Sequence, residues 1–243
     1  MSGREVSISC RSQPQIPVAG FTYQMEWQGR ILDDRRYWPW SACALQGPDG
    51  KIHLFADRAD SAQVEQHDIC WGHRHCNMIA HYVADQPEGP FQFVDIPLPP
   101  GSPGEFDRSI IYPCLQRDGD RWFMMYTAFD DTGEDRNMRG ALAVADSLYG
   151  PWRKLGVVLA PSQDPDHWTH RAELGIHVPQ FVPFRGKWYA YFKSGGNPSK
   201  AGGLTGVQCW WGRDYLGVAI ADRPEGPWQI VNQPAILKNG GHV

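Results

Sequence analysis

Short apolar runs separated by turn residues recur along the chain, and three stretches repeat one pattern. They read IAHYVADQPEGPFQF from Ile79 to Phe93, GALAVADSLYGPWRK from Gly140 to Lys154, and LGVAIADRPEGPWQI from Leu216 to Ile230. In each, an apolar run ends at Ala-Asp, and four residues past that Asp stand Gly, Pro and an aromatic: Gly89-Pro90-Phe91, Gly150-Pro151-Trp152 and Gly226-Pro227-Trp228. The apolar run predicts a buried strand. Pro and Gly reverse the chain, and the aromatic that leads the next strand packs back on the sheet. Ala, Asp, Gly, Pro and the aromatic keep step through all three copies, which marks a repeat protein.

Flanking runs bring each copy to four strands. In the first unit the predicted strands are Trp38 to Leu45, Ile52 to Ala56, Met78 to Ala84 and Phe91 to Asp95. The first two are joined by the turn Gly47-Pro48-Asp49-Gly50. After the linker IPLPPGSPGEF, the second unit runs Ser109 to Gln116, Trp122 to Ala128, Ala141 to Ala145 and Trp152 to Leu155. The third runs His177 to Val182, Trp188 to Lys193, Tyr215 to Ala221 and Trp228 to Val231. Ile31-Leu32 suggests an outer or ring-closing strand, and no stretch has convincing amphipathic helical spacing. The Gly-rich and polar loops fall mostly between the second and third strands of each unit, which a radial design places on one face.

Three four-stranded units predict an all-β fold, a β-propeller, with a sandwich as the alternative. Propellers have about four to eight blades, and three leave large edges open. The chain ends at LKNGGHV, just after a fourth strand. The expectation is a single propeller domain over residues 1–243, of about three blades and incomplete at its C-terminus. By itself it is expected to expose apolar surface and to associate.

Composition narrows the partner. The chain of 243 residues is 42% hydrophobic, carries a formal net charge of −4 and has eleven Trp. Scattered Lys and Arg argue against nucleic acid. No apolar run is long enough to span a bilayer, and the first residues lack the pattern of a leader, so no membrane partner is expected and the cytoplasm is the default. A neutral partner remains, and Trp faces serve as core plugs or as platforms for sugar rings. Six Cys at uneven spacing predict free thiols. The stretch HDICWGHRHC puts His67, Cys70, His73, His75 and Cys76 close together but matches no zinc-finger or ribbon spacing, so neither metal nor cofactor is expected.

Candidate chemistry lies ahead of the first strand of each unit. Asp107 stands six residues before Pro113, and Glu173 six before Pro179. Inner strands of successive blades start near one axis, so the two carboxylates are expected to face a common channel and divide acid and base work. The alternative is that each caps a turn. In the first unit Asp33 stands six before Pro39, but counting from the turn Gly puts Tyr37 there instead; Asp33 and Asp34 are candidates against a surface turn in DDRR. His177 follows Glu173 at the same strand entrance. The apolar setting AELGIHVPQF suggests burial that would raise the Glu173 pKa toward that of a useful acid. Trp38, Trp40, His67, Trp71 and Lys193 are candidate sugar contacts, each with a core or surface alternative.

The set PDGKIHLF, IAHYVADQPEGPFQF, GALAVADSLYGPWRKLGVVLAP, VPQFVPFRGKWYAYFKSG and GVAIADRPEGPWQIVNQPAIL resembles the five-bladed β-propeller glycoside hydrolases related to families 43 and 117, from about Trp38 onward. The resemblance implies cleavage of glycosidic bonds in oligo- or polysaccharides by inner-strand carboxylates, with inversion favoured over retention. Many such proteins open the second and third blades with Asn-Pro, where this chain has Tyr112-Pro113 and Val178-Pro179. They also continue into a Glu-Asp-Pro segment that begins a fourth blade. The alternative is a non-catalytic carbohydrate-binding or scaffold propeller.

Overall fold

The computed structural model describes residues 31–32, 36–67, 73–196 and 215–234. Their twelve strands form three antiparallel four-stranded sheets, each with its strands in chain order. The first sheet holds β1 (Tyr37–Gln46), β2 (Ile52–Asp60), β3 (Asn77–Ala84) and β4 (Gln92–Leu98). The second holds β5 (Ser109–Asp118), β6 (Arg121–Phe129), β7 (Arg139–Ala145) and β8 (Arg153–Leu159). The third holds β9 (His177–Phe184), β10 (Lys187–Ser194), β11 (Tyr215–Ala221) and β12 (Gln229–Ile230). All twelve predicted strands are present, most of them longer by one to a few residues. Two short helices that apolar spacing did not predict, α1 (Ser61–His67) and α2 (His73–Cys76), occupy the His-rich loop. At that length, tertiary contact rather than helical periodicity holds them, through Val64 and Cys76 packed with Ala59 and Trp38.

The repeated turn is the same structure three times. Each Gly-Pro bond is cis, and Gly89, Gly150 and Gly226 have φ of 88°, 80° and 89°. A Cβ on any of them would crowd the backbone nitrogen of the aromatic two residues on, at 3.0, 3.0 and 2.8 Å. Glycine is therefore required, and the turn folds the aromatic back on itself. Trp152 Nε1 donates to the Leu148 carbonyl (3.3 Å), and Trp228 Nε1 to the Pro224 carbonyl (2.9 Å).

Strand period two decides which sheet faces which. On β6, Trp122, Met124, Tyr126 and Ala128 face the first sheet and pack with Phe55, Ile79, Leu98, Ile110 and Leu115. The alternate residues Phe123 and Met125 face the third sheet and pack with Phe181, Trp188, Ala190 and Phe192. The middle sheet is thus buried on both faces and reads as a near-continuous apolar run. On the far side of the third sheet, Val182, Phe184 (57% exposed) and Tyr191 are open to solvent. The inner strands β1, β5 and β9 adjoin one another in turn.

Candidate functional site

The ladder gives an equivalence that turns and prolines do not. Ile52, Trp122 and Trp188 pair with the closing Ala of each repeat, Ala84, Ala145 and Ala221. Three residues on, Phe55, Met125 and Tyr191 pair with Cys43, Cys114 and Gln180 of the inner strands. Counting back seven from these reaches Arg36, Asp107 and Glu173. The first unit therefore has a cation at the carboxylate position. Arg36 pairs with Asp60 at 3.3 Å. Pro39 pairs with Arg58 and does not play the part of Pro113 or Pro179. Asp33 and Asp34 lie outside the described residues, as does Trp71; of His67, only its place at the end of α1 is described.

The shared position of Asp107 and Glu173 does not bring a shared environment. Asp107 is 1% exposed. Its Oδ2 receives Lys154 Nζ of β8 at 2.6 Å, and the Tyr126 hydroxyl lies 3.5 Å away. Glu173 is exposed, contrary to the expected apolar enclosure. Around it Ala172 and Ile176 turn inward while its own side chain lines an open cleft of about 560 Å³. The cleft draws on all three units: Arg74 and His75 of α2, Thr132 to Arg136 between β6 and β7, and Glu173 before β9. Asp107 is not among its lining residues.

Backbone and ion pairs fix the cleft walls. The Gly175 N–H donates to the Asp135 carbonyl (2.8 Å) and the Ile176 N–H to the Met138 carbonyl (3.0 Å), tying the Glu173 segment to the second unit's loop. Arg74 grips both carboxylate oxygens of the buried Asp135, at 2.9 and 3.1 Å, tying in the first unit's loop. Arg136 pairs with Glu134. Gly133, at φ 62°, comes so close to the His75 ring that a Cβ there would displace it.

Beside this cleft an aromatic group forms at the inner-strand entrances. Tyr112 and Leu174 pack on the same cluster of Ile111, Phe129 and Met138. Trp40 is 64% exposed, and its Nε1 donates to the Tyr112 hydroxyl at 3.2 Å. The His177 ring stands edge-on to Tyr112, centroids 4.9 Å apart. Burial raises the Tyr112 phenol pKa, and nearby Asp57 adds to it while the Trp40 hydrogen bond and Arg74 oppose it. Lys193 pairs across the ladder with His177. Trp38 packs instead against Ala59, Val64 and Cys76. Trp40, His177 and Lys193 thus stand at the inner-strand entrances, while Trp38 packs with Ala59, Val64 and Cys76 and Asp107 is ion-paired with Lys154.

Asp57 is not among the residues that the sequence singles out, and Tyr112 is noted there only as standing where similar proteins have Asn. Asp57 is fully buried on β2 and accepts hydrogen bonds from Trp40, Ser41 and Tyr112. Its one visible signal is a carboxylate inside the buried run LFADRA.

Neither a protein-family model nor a curated protein matches the chain by sequence. Solved structures do match its fold. A family 117 glycoside hydrolase from the marine bacterium Zobellia galactanivorans superposes with a TM-score of 0.65 at 17% identity, over 86% of this chain and 60% of that one. Inulosucrase from Halalkalicoccus jeotgali, bound to kestose, gives 0.60 at 17% over 82% and 53%. A thermostable family 43 glycoside hydrolase gives 0.50 at 19% over 82% and 55%. The described residues, with three four-stranded sheets, have part of the fold of the five-bladed β-propeller glycoside hydrolases, and the chain spans 53 to 60% of the length of these structures.

Proposed function

We propose that the chain carries the sugar-binding and bond-cleaving cleft of a glycoside hydrolase acting on oligo- or polysaccharides. The observation that carries this reading is the convergence of loops from all three units on one cleft around the exposed carboxyl of Glu173. A glycosidic bond breaks when its leaving oxygen is protonated and water adds at the anomeric carbon. Glu173 is the cleft carboxyl at the repeated position ahead of an inner strand, and we assign it the proton transfer, with His177 and Lys193 as donors to hydroxyls. Trp40 and Tyr112 supply an aromatic face with a polar edge, suited to a sugar ring. Asp107 has the part of an ion-pair anchor for β8. Asp33 and Asp34 are the candidates for the second carboxylate of the usual pair.

The experiment is turnover by the full-length protein of 4-nitrophenyl glycosides of xylose, arabinose and galactose, and of oligosaccharides from plant and algal polysaccharides and fructans. Glu173→Gln is expected to lower turnover of an unactivated oligosaccharide by about 10² to 10⁴-fold with the fold intact, and less for good leaving groups. Unchanged turnover would remove Glu173 from the chemistry. The locking of Asp107 by Lys154 favours a second reading, a sugar-binding propeller without catalysis. Binding without turnover across the panel selects it.

A further inference from the structure

Asp57 is the most completely engaged side chain at the inner-strand entrances. Oδ1 accepts the backbone N–H of Trp40 (3.1 Å) and of Ser41 (2.7 Å). Oδ2 accepts the Ser41 hydroxyl (2.7 Å) and the backbone N–H of Tyr112 (3.1 Å). These four donors fill the four acceptor positions of an ionised carboxylate. All come from residues that the ladder leaves without cross-strand partners. Trp40 and Ser41 lie in the irregularity between Pro39 and Ala42 of β1, and Tyr112 in that between Ile111 and Cys114 of β5. Bulges re-aim side chains and leave N–H groups that need acceptors. Tyr112 also has φ of 59°, a left-handed backbone that a tyrosine holds only where its surroundings enforce it.

The position is written into the repeat. Five residues past Ile52, Trp122 and Trp188 stand Asp57, Thr127 and Lys193. Thr127 Oγ1 accepts the N–H of Val178, φ 50°, at 3.0 Å, and so does for the third unit what Asp57 does for the second. The second unit thus meets the shared requirement with a neutral oxygen. The first unit's carboxylate takes three further donors, and all belong to the strand that presents Trp40.

We propose that Asp57 is a positioning residue for the sugar shelf: its buried carboxylate joins the bulges of β1 and β5 and thereby fixes Trp40 against Tyr112, whose ring His177 meets edge-on. This rests on the reading of the cleft as a sugar site, and it adds the part that sets affinity and ring orientation there. Replacing one acceptor oxygen by a donor breaks the link at a known point. In Asp57→Asn either Tyr112 N–H or the Trp40 and Ser41 N–H groups face an NH₂. The shelf then loses its fixed orientation while the apolar layers below are untouched.

The test labels the full-length protein with 5-fluorotryptophan and identifies the Trp40 fluorine resonance, one among eleven Trp, by its loss in Trp40→Phe. Asp57→Asn is expected to shift or split the Trp40 resonance and leave those of Trp122, Trp152 and Trp188 in place. On the oligosaccharide turned over in the panel above, it is expected to raise KM by about tenfold with kcat within about threefold, the signature of lost binding rather than lost chemistry. An unmoved Trp40 resonance in folded Asp57→Asn overturns the proposal, and so does a kcat loss with unchanged KM. If Asp57→Asn does not fold, Ser41→Ala removes a single donor and must shift the Trp40 resonance alone; if it does not, the proposal falls. A shifted resonance with no sugar turned over or bound leaves Asp57 positioning Trp40 and overturns the sugar reading instead.

Discussion

The two layers between neighbouring sheets are built on one plan and finished differently. Both are filled by alternate residues of paired strands: Phe55, Ile79, Trp122 and Tyr126 between the first and second sheets, and Phe123, Phe181, Trp188 and Phe192 between the second and third. At the inner end, the first layer is closed by Asp57 with its four donors and the second by Thr127 with the Val178 N–H. At the turn end, the first layer holds a polar chain. Tyr149 donates to Asp49 Oδ2 (2.9 Å), Asp49 Oδ1 meets His53 Nε2 (3.1 Å), and His53 Nδ1 meets His81 Nε2 (2.9 Å). Asp95 lies 3.5 Å beyond His81 Nδ1. The Asp107–Lys154 pair is also on this side of the second sheet, through Tyr126. The repeat therefore supplies generic apolar filling, and buried polar contacts at the ends make each layer distinct. Such contacts add little net stability when complete and cost much when half broken.

The largest expected effect tests the likeness of the two layers. Phe55→Ala and Phe181→Ala each empty a fully buried site, and each is expected to cost about 3 to 5 kcal/mol in urea unfolding. Costs that differ by more than about 2 kcal/mol would break the claim that the fillings are equivalent.

Acid distinguishes the layers next. Burial and the neighbouring His53 push His81 down to about 4 from its ordinary 6.5. Between those values the unfolded chain binds a proton that the folded one does not, so stability falls as pH drops from 6.5 toward 4. Asp95, raised by burial, takes its proton early in the folded state and works in the opposite sense. Asp49 is held at about 2: burial opposes this, but hydrogen bonds from His53, Tyr149 and the Lys51 N–H outweigh it. Its contribution is lost only below this window. The expected net loss is roughly 2 to 3 kcal/mol between pH 7 and 4. His81→Gln should flatten the profile; parallel profiles for the two proteins would assign the acid sensitivity elsewhere.

The smallest effect concerns Asp107. Asp107→Asn leaves Lys154 near a neutral amide and is expected to cost about 2 kcal/mol, less than a fully buried pair because Lys154 is partly exposed. Lys154→Met in the same chain should recover part of the loss. A double variant that melts below Asp107→Asn would show that Lys154 contributes chiefly through the Pro99 carbonyl, 3.0 Å from its Nζ.

Strands, turns and the threefold repeat are local consequences of side-chain period and of glycine geometry, and they were legible residue by residue. Gly89, Gly150 and Gly226 each stand where a Cβ would strike the following residues, so the pattern of their neighbours repeats with them. The equivalence of units was harder to read, because turn glycines drift while the ladder does not: Gly50 and Gly186 precede Ile52 and Trp188 by two residues, but Gly119 precedes Trp122 by three. That drift concealed Arg36 at the carboxylate position and hid the match of Asp57 with Thr127. The surroundings of Asp107, Glu173 and Asp57 depended on tertiary structure alone. Each is set by partners far along the chain, Lys154 for Asp107, Arg74 and Asp135 around the Glu173 cleft, Tyr112 for Asp57. A periodic pattern says which face of a strand is buried; whether a carboxylate there is paired, clasped or left to act on a substrate is decided by what the neighbouring sheet brings to meet it.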